Sequence, residues 1–85
     1  MINQTSNPVE WALLMYELDD TKEHLSNLID QLNSTKHFDE TDFKIQISHV
    51  YGHLNRIYHR RNHIGDIDDK EWMQYSKFPA DIEPI

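Results

Sequence analysis

The sequence contains no cysteine and no long hydrophobic run, and each absence excludes a class of protein. Without cysteine the chain can form neither a disulfide framework nor a thiolate zinc site, which is compatible with a reducing compartment. The longest apolar stretch, Trp11 to Tyr16, is far too short to cross a bilayer, and no basic region precedes it. We therefore expect a cytoplasmic protein that neither spans a membrane nor carries a secretion signal.

Recognised catalytic motifs are also missing. The chain has no glycine-rich phosphate loop and no motif that places a serine beside a histidine and an acid. The pairs His49 with His53 and His59 with His63 have the i, i+4 spacing at which two imidazoles can reach one metal ion. Each pair supplies only two ligands, and a third would have to come from Asp19, Glu23 or another subunit. We therefore predict that the protein is not an enzyme and that it has no metal or other cofactor.

What the sequence does contain is a helical period. Asn7 followed by Pro8 is typical of a helix start, because proline tolerates the first helical position. Apolar residues then recur at steps of three and four, which predicts an amphipathic helix at about residues 8–33. The residues of this predicted seam are Trp11, Leu14, Leu18, Leu25, Leu28 and Leu32.

A second apolar series predicts a second helix at about residues 40–64. Asp39 is suited to cap its start, and Gly65 is suited to end it. Its predicted seam residues are Phe43, Ile47, Val50, Leu54, Ile57 and Ile64. Two long helices joined by a short connection lie antiparallel, so the sequence predicts a helical hairpin.

The residues after Gly65 predict a short third helix. Asp68 and Glu71 have the spacing of a capping box, and Pro79 should end the helix, which we place at about residues 69–77. Residues 79–85 form an acidic C-terminal tail. We therefore predict one all-α domain over residues 1–85, an antiparallel helical hairpin with a short third C-terminal helix.

The predicted hairpin has more apolar surface than one seam can cover. Val9 to Leu18 is apolar nearly all the way around the helix, and scaffolds below about 80 residues barely offset chain entropy by apolar burial. Leu13 and Tyr16 flank the first seam, and Tyr51 and Tyr58 flank the second. These edges predict a homodimer built as a four-helix bundle. The alternative, that the C-terminal helix covers the edges, remains open at this point.

Charge is unevenly distributed along the chain. The net charge is −7, yet all fifteen acidic residues lie outside residues 43–65, which carry the three arginines. Arg61 falls at a seam position, where a cation needs a partner, and we predict a structural ion pair with Glu10 or Glu17.

This cationic stretch also carries the functional prediction. We predict a small non-enzymatic interaction module that presents a cationic, tyrosine-bearing helix face to an acidic protein partner. The predicted partner-binding residues are Tyr51, Asn55, Arg56, Tyr58, His59, Arg60 and His63. The alternative is that the arginine and histidine stripe binds a phosphate ligand or a nucleic acid, although a net charge of −7 repels a polyanion.

Overall fold

The computed structural model describes residues 1–34 and 37–85, and within them it contains helices and no β-strand. Helix α1 spans Pro8–Asn33, α2 spans Glu40–His59 and α3 spans Asp69–Tyr75. A 3-10 turn, Arg60–Asn62, follows α2 directly. The all-α prediction is confirmed. None of the helices in the described part of the chain combines the length and the apolar character that crossing a membrane requires.

Helix α1 covers the predicted range, but its start is built differently from the expectation. The Asn7 side chain makes no capping bond to α1; its Oδ1 atom instead accepts a hydrogen bond from the Asn3 backbone N–H at 3.2 Å. Ahead of this turn, the Ile2 N–H donates to the carbonyl oxygen of Arg61 at 2.7 Å, and Ile2 is buried. The N-terminal residues therefore join the end of α2.

Helix α2 starts at a capping box and ends earlier than expected. Asp39 Oδ1 accepts from the Asp42 N–H at 2.9 Å, and Asp42 Oδ2 accepts from the Asp39 N–H at 3.3 Å. The α-helix stops at His59, five residues before the predicted end, and tightens into the 3-10 turn. Arg61 Nη1 donates to the Tyr58 carbonyl at 2.9 Å, which satisfies an acceptor that the ended helix leaves open.

Gly65 and a second capping box position α3. Gly65 has a φ of +87°, a left-handed conformation that glycine adopts at little cost. Asp68 Oδ1 accepts from the Glu71 N–H at 2.8 Å, and Glu71 Oε1 accepts from the Asp68 N–H at 3.5 Å. Helix α3 ends at Tyr75, two residues before the predicted end, and the Ser76 hydroxyl donates to the Trp72 carbonyl at 2.7 Å.

Contacts between α1 and α2 run in opposite directions along the two helices. Glu17 Oε1 lies 2.8 Å from Arg56 Nε, whereas His24 Nε2, seven residues further along α1, lies 3.1 Å from Nε2 of His49, seven residues earlier in α2. The two helices are therefore antiparallel.

The buried apolar core is small. Among the described residues, the apolar side chains classed as buried are Ile2, Leu14, Leu28 and Val50, at 4–6% exposed. The buried polar residues are Glu17, Thr21, His53, Asn55 and Arg56. The side of α1 that faces α2 thus runs through Leu14, Glu17, Thr21, partly buried His24 and Leu28.

This arrangement corrects the predicted seam of α1. Leu18 and Leu25 are each 41% exposed and Leu32 is 52% exposed, although all three were expected to face the second helix. The predicted series combined residues of two neighbouring stripes of α1, one of which contains the buried Leu14 and Leu28. Only one of the two stripes can face a single partner helix. The leucines lie one position beyond the buried stripe along α1.

Candidate functional site

A buried ion cluster lies at the centre of the hairpin. The Glu17 carboxylate accepts from Arg56 Nε at 2.8 Å and from Arg60 Nη1 at 3.2 Å, and His53 Nδ1 lies 3.3 Å from the same carboxylate. The side chain of Glu17 is only 7% exposed, so water cannot take the place of these partners. The cluster therefore fixes which residues of α1 lie opposite the last turn of α2.

Arg56 extends this cluster to the third helix. Its guanidinium carbon lies 3.9 Å from the centroid of the Trp72 ring, and its Nη1 donates to the Ser76 hydroxyl at 2.9 Å. A Cβ atom at Gly52 would lie 3.2 Å from the same Nη1. A glycine in mid-helix normally weakens the helix, and here it leaves room for a guanidinium that three other groups hold in place.

Six of the seven predicted partner-binding residues contact the chain's own C-terminal segment, residues 71–81. Tyr51 packs on Phe78; Asn55 donates to Ser76; Arg56 contacts Trp72 and Ser76; Tyr58 donates to Asp81; His59 contacts Tyr75 and Lys77; His63 contacts Glu71 and Tyr75. The seventh, Arg60, binds Glu17. The surface predicted to receive an acidic partner is therefore occupied by a segment that carries Glu71 and Asp81.

Arg61 has a different neighbourhood from the predicted one. Its Nη2 lies 3.6 Å from Asp81 Oδ2, and its guanidinium carbon lies 4.0 Å from the Tyr58 ring centroid. In the described structure the predicted pair of Arg61 with Glu10 or Glu17 is therefore wrong: Asp81 pairs with Arg61, and Glu17 binds Arg56 and Arg60 instead. Loss of hydration and the hydrogen bond to Asp81 raise the pKa of Tyr58, and the positive charge of Arg61 opposes this rise.

A cluster of three histidines lies beside the ion cluster. His49 Nε2 is 3.1 Å from His24 Nε2 and also 3.1 Å from His53 Nε2. Asp20 lies next to the cluster, with Oδ1 3.7 Å from His24 Nε2 and Oδ2 3.5 Å from His53 Nε2. The three imidazoles and one carboxylate come from two helices, and only the pair on α2 had been expected to lie together.

The sequence analysis did not include His24 in a metal site, although the antiparallel register of the two helices places it opposite His49. The register that pairs Glu17 with Arg56 also pairs the residue seven later in α1 with the residue seven earlier in α2. Loss of hydration lowers the pKa of His49, as do the positive charges of His24, His53 and Arg56, whereas Asp20 acts in the opposite direction.

An exposed apolar stripe follows the buried stripe on each helix. Leu18 and Leu25 come one residue after the inward-facing Glu17 and His24, and Leu54 comes one residue after the inward-facing His53. In an antiparallel pair, positions that follow the seam by one residue lie on the same side of both helices. We call this surface the outer apolar face, and it comprises the exposed Leu18, Leu25, Ile29, Leu32 and Leu54 together with the half-buried Ile47.

No protein-family model, curated protein sequence or solved structure matches this chain. Its function is therefore inferred from the ion cluster, the histidine cluster and the outer apolar face.

Proposed function

We propose that the protein is a non-enzymatic interaction module that associates with a second copy of itself through the outer apolar face, forming a dimeric four-helix bundle. One observation carries this proposal. Leu18, Leu25, Ile29 and Leu32 are 41–58% exposed in a chain whose buried apolar side chains, within the described residues, are Ile2, Leu14, Leu28 and Val50.

The energetic argument follows from the size of the protein. Burying apolar surface contributes roughly 25 cal/mol per Å², and a small core leaves little net stability after chain entropy is subtracted. A second hairpin packed on the outer apolar face would bury leucines from both copies at once. Association therefore adds the apolar core that the single chain lacks.

The charge distribution favours a second copy as the occupant. The chain has a net charge of −7, so two copies repel each other wherever acidic residues meet. Among the residues of α1 that share the side of the outer apolar face, the charged one is Lys22, and on α2 these are Glu40, Lys44 and Arg61. No carboxylate of α1 lies on this side, and Glu40 lies about 21 Å from Leu54 along α2. A two-fold axis through the leucines of α1 would therefore pair leucines with leucines.

The cationic face of α2 is satisfied within the same chain under this proposal. Asp81 binds Tyr58 and Arg61, and Glu71 lies 3.6 Å from His63 Nδ1. An acidic protein partner would have to compete with these groups. The phosphate alternative has no contact in its favour, because Arg56 is 8% exposed and Arg60 is bound to Glu17.

The deciding experiment is molar mass by size-exclusion chromatography with light scattering over a dilution series. We expect a mass near twice the 10.2 kDa of one chain, and we expect Leu54→Glu to convert the protein to a monomer. The matched control is Ile45→Glu. Ile45 is 60% exposed and lies nine residues from Leu54, which places it on the opposite side of α2.

Two outcomes would contradict the proposal. One is a wild-type monomer at every concentration tested. The other is dissociation by Ile45→Glu to the same extent as by Leu54→Glu, since both substitutions make the same change of charge and differ only in their side of the helix. Circular dichroism of both variants shows whether helix content is retained.

A further inference from the structure

The nitrogen atoms of three histidines converge at one point beside the hairpin seam. One ligand atom from each of His24, His49 and His53 lies within 4.8 Å of the other two. The two shortest separations are 3.1 Å. In a tetrahedral zinc site with bonds of about 2.0–2.1 Å, neighbouring ligand atoms are about 3.3–3.4 Å apart. The two short separations agree with this value to within a few tenths of an ångström, and the ring nitrogens of His24 and His53, within 4.8 Å of each other, would have to approach by up to about 1.4 Å.

Hydrogen bonding does not account well for this convergence. Each imidazole nitrogen carries either one proton or one lone pair, so His49 Nε2 can form one good hydrogen bond, yet it lies 3.1 Å from two other ring nitrogens. A metal ion accepts all three lone pairs together. The nitrogen atoms that cannot all be paired by hydrogen bonds can thus all serve as ligands of one ion.

The neighbouring carboxylate of Glu17 prepares one of the rings for metal binding. His53 Nδ1 lies 3.3 Å from Glu17 Oε1, and a proton on Nδ1 donated to this carboxylate leaves the lone pair on Nε2. Carboxylates hold metal-binding histidines in this way in many zinc sites. Arg56 Nη2 is also 3.3 Å from Nδ1 and can only donate, so the two contacts require opposite tautomers. Metal binding through Nε2 selects the tautomer that pairs with Glu17.

We propose that His24, His49 and His53 bind one divalent transition-metal ion, with Zn²⁺ as the reference ion, and that this ion ties α1 to α2. Three imidazoles favour zinc, cobalt, nickel or copper over magnesium and calcium, which take oxygen ligands. Asp20 lies 3.5 Å from His53 Nε2 and offsets part of the positive charge. An adjoining groove lined by Asp19, Asp20 and Glu23 attracts cations to the site.

The site can be reached from solvent without unfolding. His49 is exposed and the side chain of His24 is 31% exposed, while His53 is buried and fixed by Glu17. All three ligands come from one chain, and His49 lies on the other flank of the seam from Leu54. Metal binding is therefore independent of the proposed dimer and adds a function to it.

The test is a titration of tag-free, chelator-stripped protein with Zn²⁺ by calorimetry, with the bound metal counted after dialysis. We expect one ion per chain and a higher thermal midpoint with zinc. Loss of a residue that only supports a metal ligand typically weakens binding by about 10–100-fold. Because His24 and His49 are proposed as direct ligands, His49→Gln and His24→Gln should each weaken binding by about 100-fold or more. His37→Gln is the matched control, since the side chain of His37 is 86% exposed and lies outside the cluster.

The proposal is overturned if His49→Gln binds zinc as tightly as the wild type, or if His37→Gln weakens binding to the same extent. Visible absorption of the Co²⁺-substituted protein gives a second readout, because a tetrahedral signal should be present in the wild type and in His37→Gln and absent in His49→Gln. Repeating the zinc titration on Leu54→Glu separates the two proposals. Unchanged affinity in that variant is expected, and a loss there would contradict a site formed within one chain.

Discussion

The seam between α1 and α2 and the outer apolar face lie one residue apart on each helix. A small domain usually buries its apolar residues and exposes its charged ones, and here the seam buries charged residues while the neighbouring face exposes leucines. The seam buries Glu17, Thr21 and His53, whereas the face leaves Leu18 and Leu25 each 41% exposed. A carboxylate needs specific partners at fixed positions, and only the facing helix of the same chain supplies them. An apolar stripe needs only another apolar surface, which a second copy can provide.

The two regions therefore contribute differently to the protein. A buried ion cluster is weak evidence for stability, because removing charges from water costs about as much as their attraction returns. What the cluster around Glu17 supplies is one register and one orientation for the hairpin, as only this register brings Arg56 and Arg60 to the carboxylate. The outer apolar face is the region from which further stability can come.

The largest effect is expected from Glu17→Gln, which removes the carboxylate at the centre of the buried ion cluster. Arg56 and Arg60 would remain at the seam without their counter-charge, and breaking a buried pair costs about 3–5 kcal/mol. Urea denaturation followed by circular dichroism measures the change in the free energy of unfolding. Glu23→Gln is the control, because Glu23 is exposed on the same helix and such changes stay within about 0.5 kcal/mol. Equal midpoints for the two variants would show that the cluster does not hold the hairpin.

A slightly smaller effect is expected from truncating leucines on the two stripes of α1. Leu14 is 4% exposed, so Leu14→Ala should lower the free energy of unfolding by about 2–5 kcal/mol at any protein concentration. Leu18 is 41% exposed in the single chain, and Leu18→Ala should cost more as the protein concentration rises and the dimer fills. The measurement is denaturation of both variants and the wild type at several concentrations. A cost for Leu18→Ala that does not depend on concentration would contradict burial of this leucine by a second copy.

The smallest effect is expected from pH. The groups around His49 are His24 and Asp20 from α1 and His53 and Arg56 from α2, and its folded pKa is lowered from the ordinary 6.5. As pH falls through 6.5, the unfolded chain takes up a proton at this residue before the folded chain does, so the free energy of unfolding decreases. Denaturation in the presence of a chelator at a series of pH values should show this decrease, and His49→Gln should reduce its slope. An unchanged slope in that variant would assign the pH dependence to other groups.

Some features of the fold were accessible from sequence because they depend on residues close together in the chain. The capping boxes at Asp39 and at Asp68 each join residues three apart. Gly65 has the left-handed conformation, but the prediction that it ends the second helix is wrong, because α2 ends at His59 with Arg60 as its cap. The 3.6-residue period likewise predicted an all-helical protein. Each of these signals acts within a turn or two and needs no knowledge of the partner helix.

Which stripe of each helix faces inward depends on tertiary contacts. Leu18 and Leu25 fit the apolar pattern as well as Leu14 does, and the choice between the stripes depends on contacts such as Glu17 with Arg56, 39 residues away in the chain. The partner of Arg61 and the addition of His24 to the histidine cluster follow from the same choice. The helices and the starts of α2 and α3 at Asp39 and Asp68 could be predicted from sequence, because the hydrogen bonds that form them lie within a single turn. The register, the ion cluster and the histidine cluster required the tertiary structure, because they depend on how two helices rotate against each other.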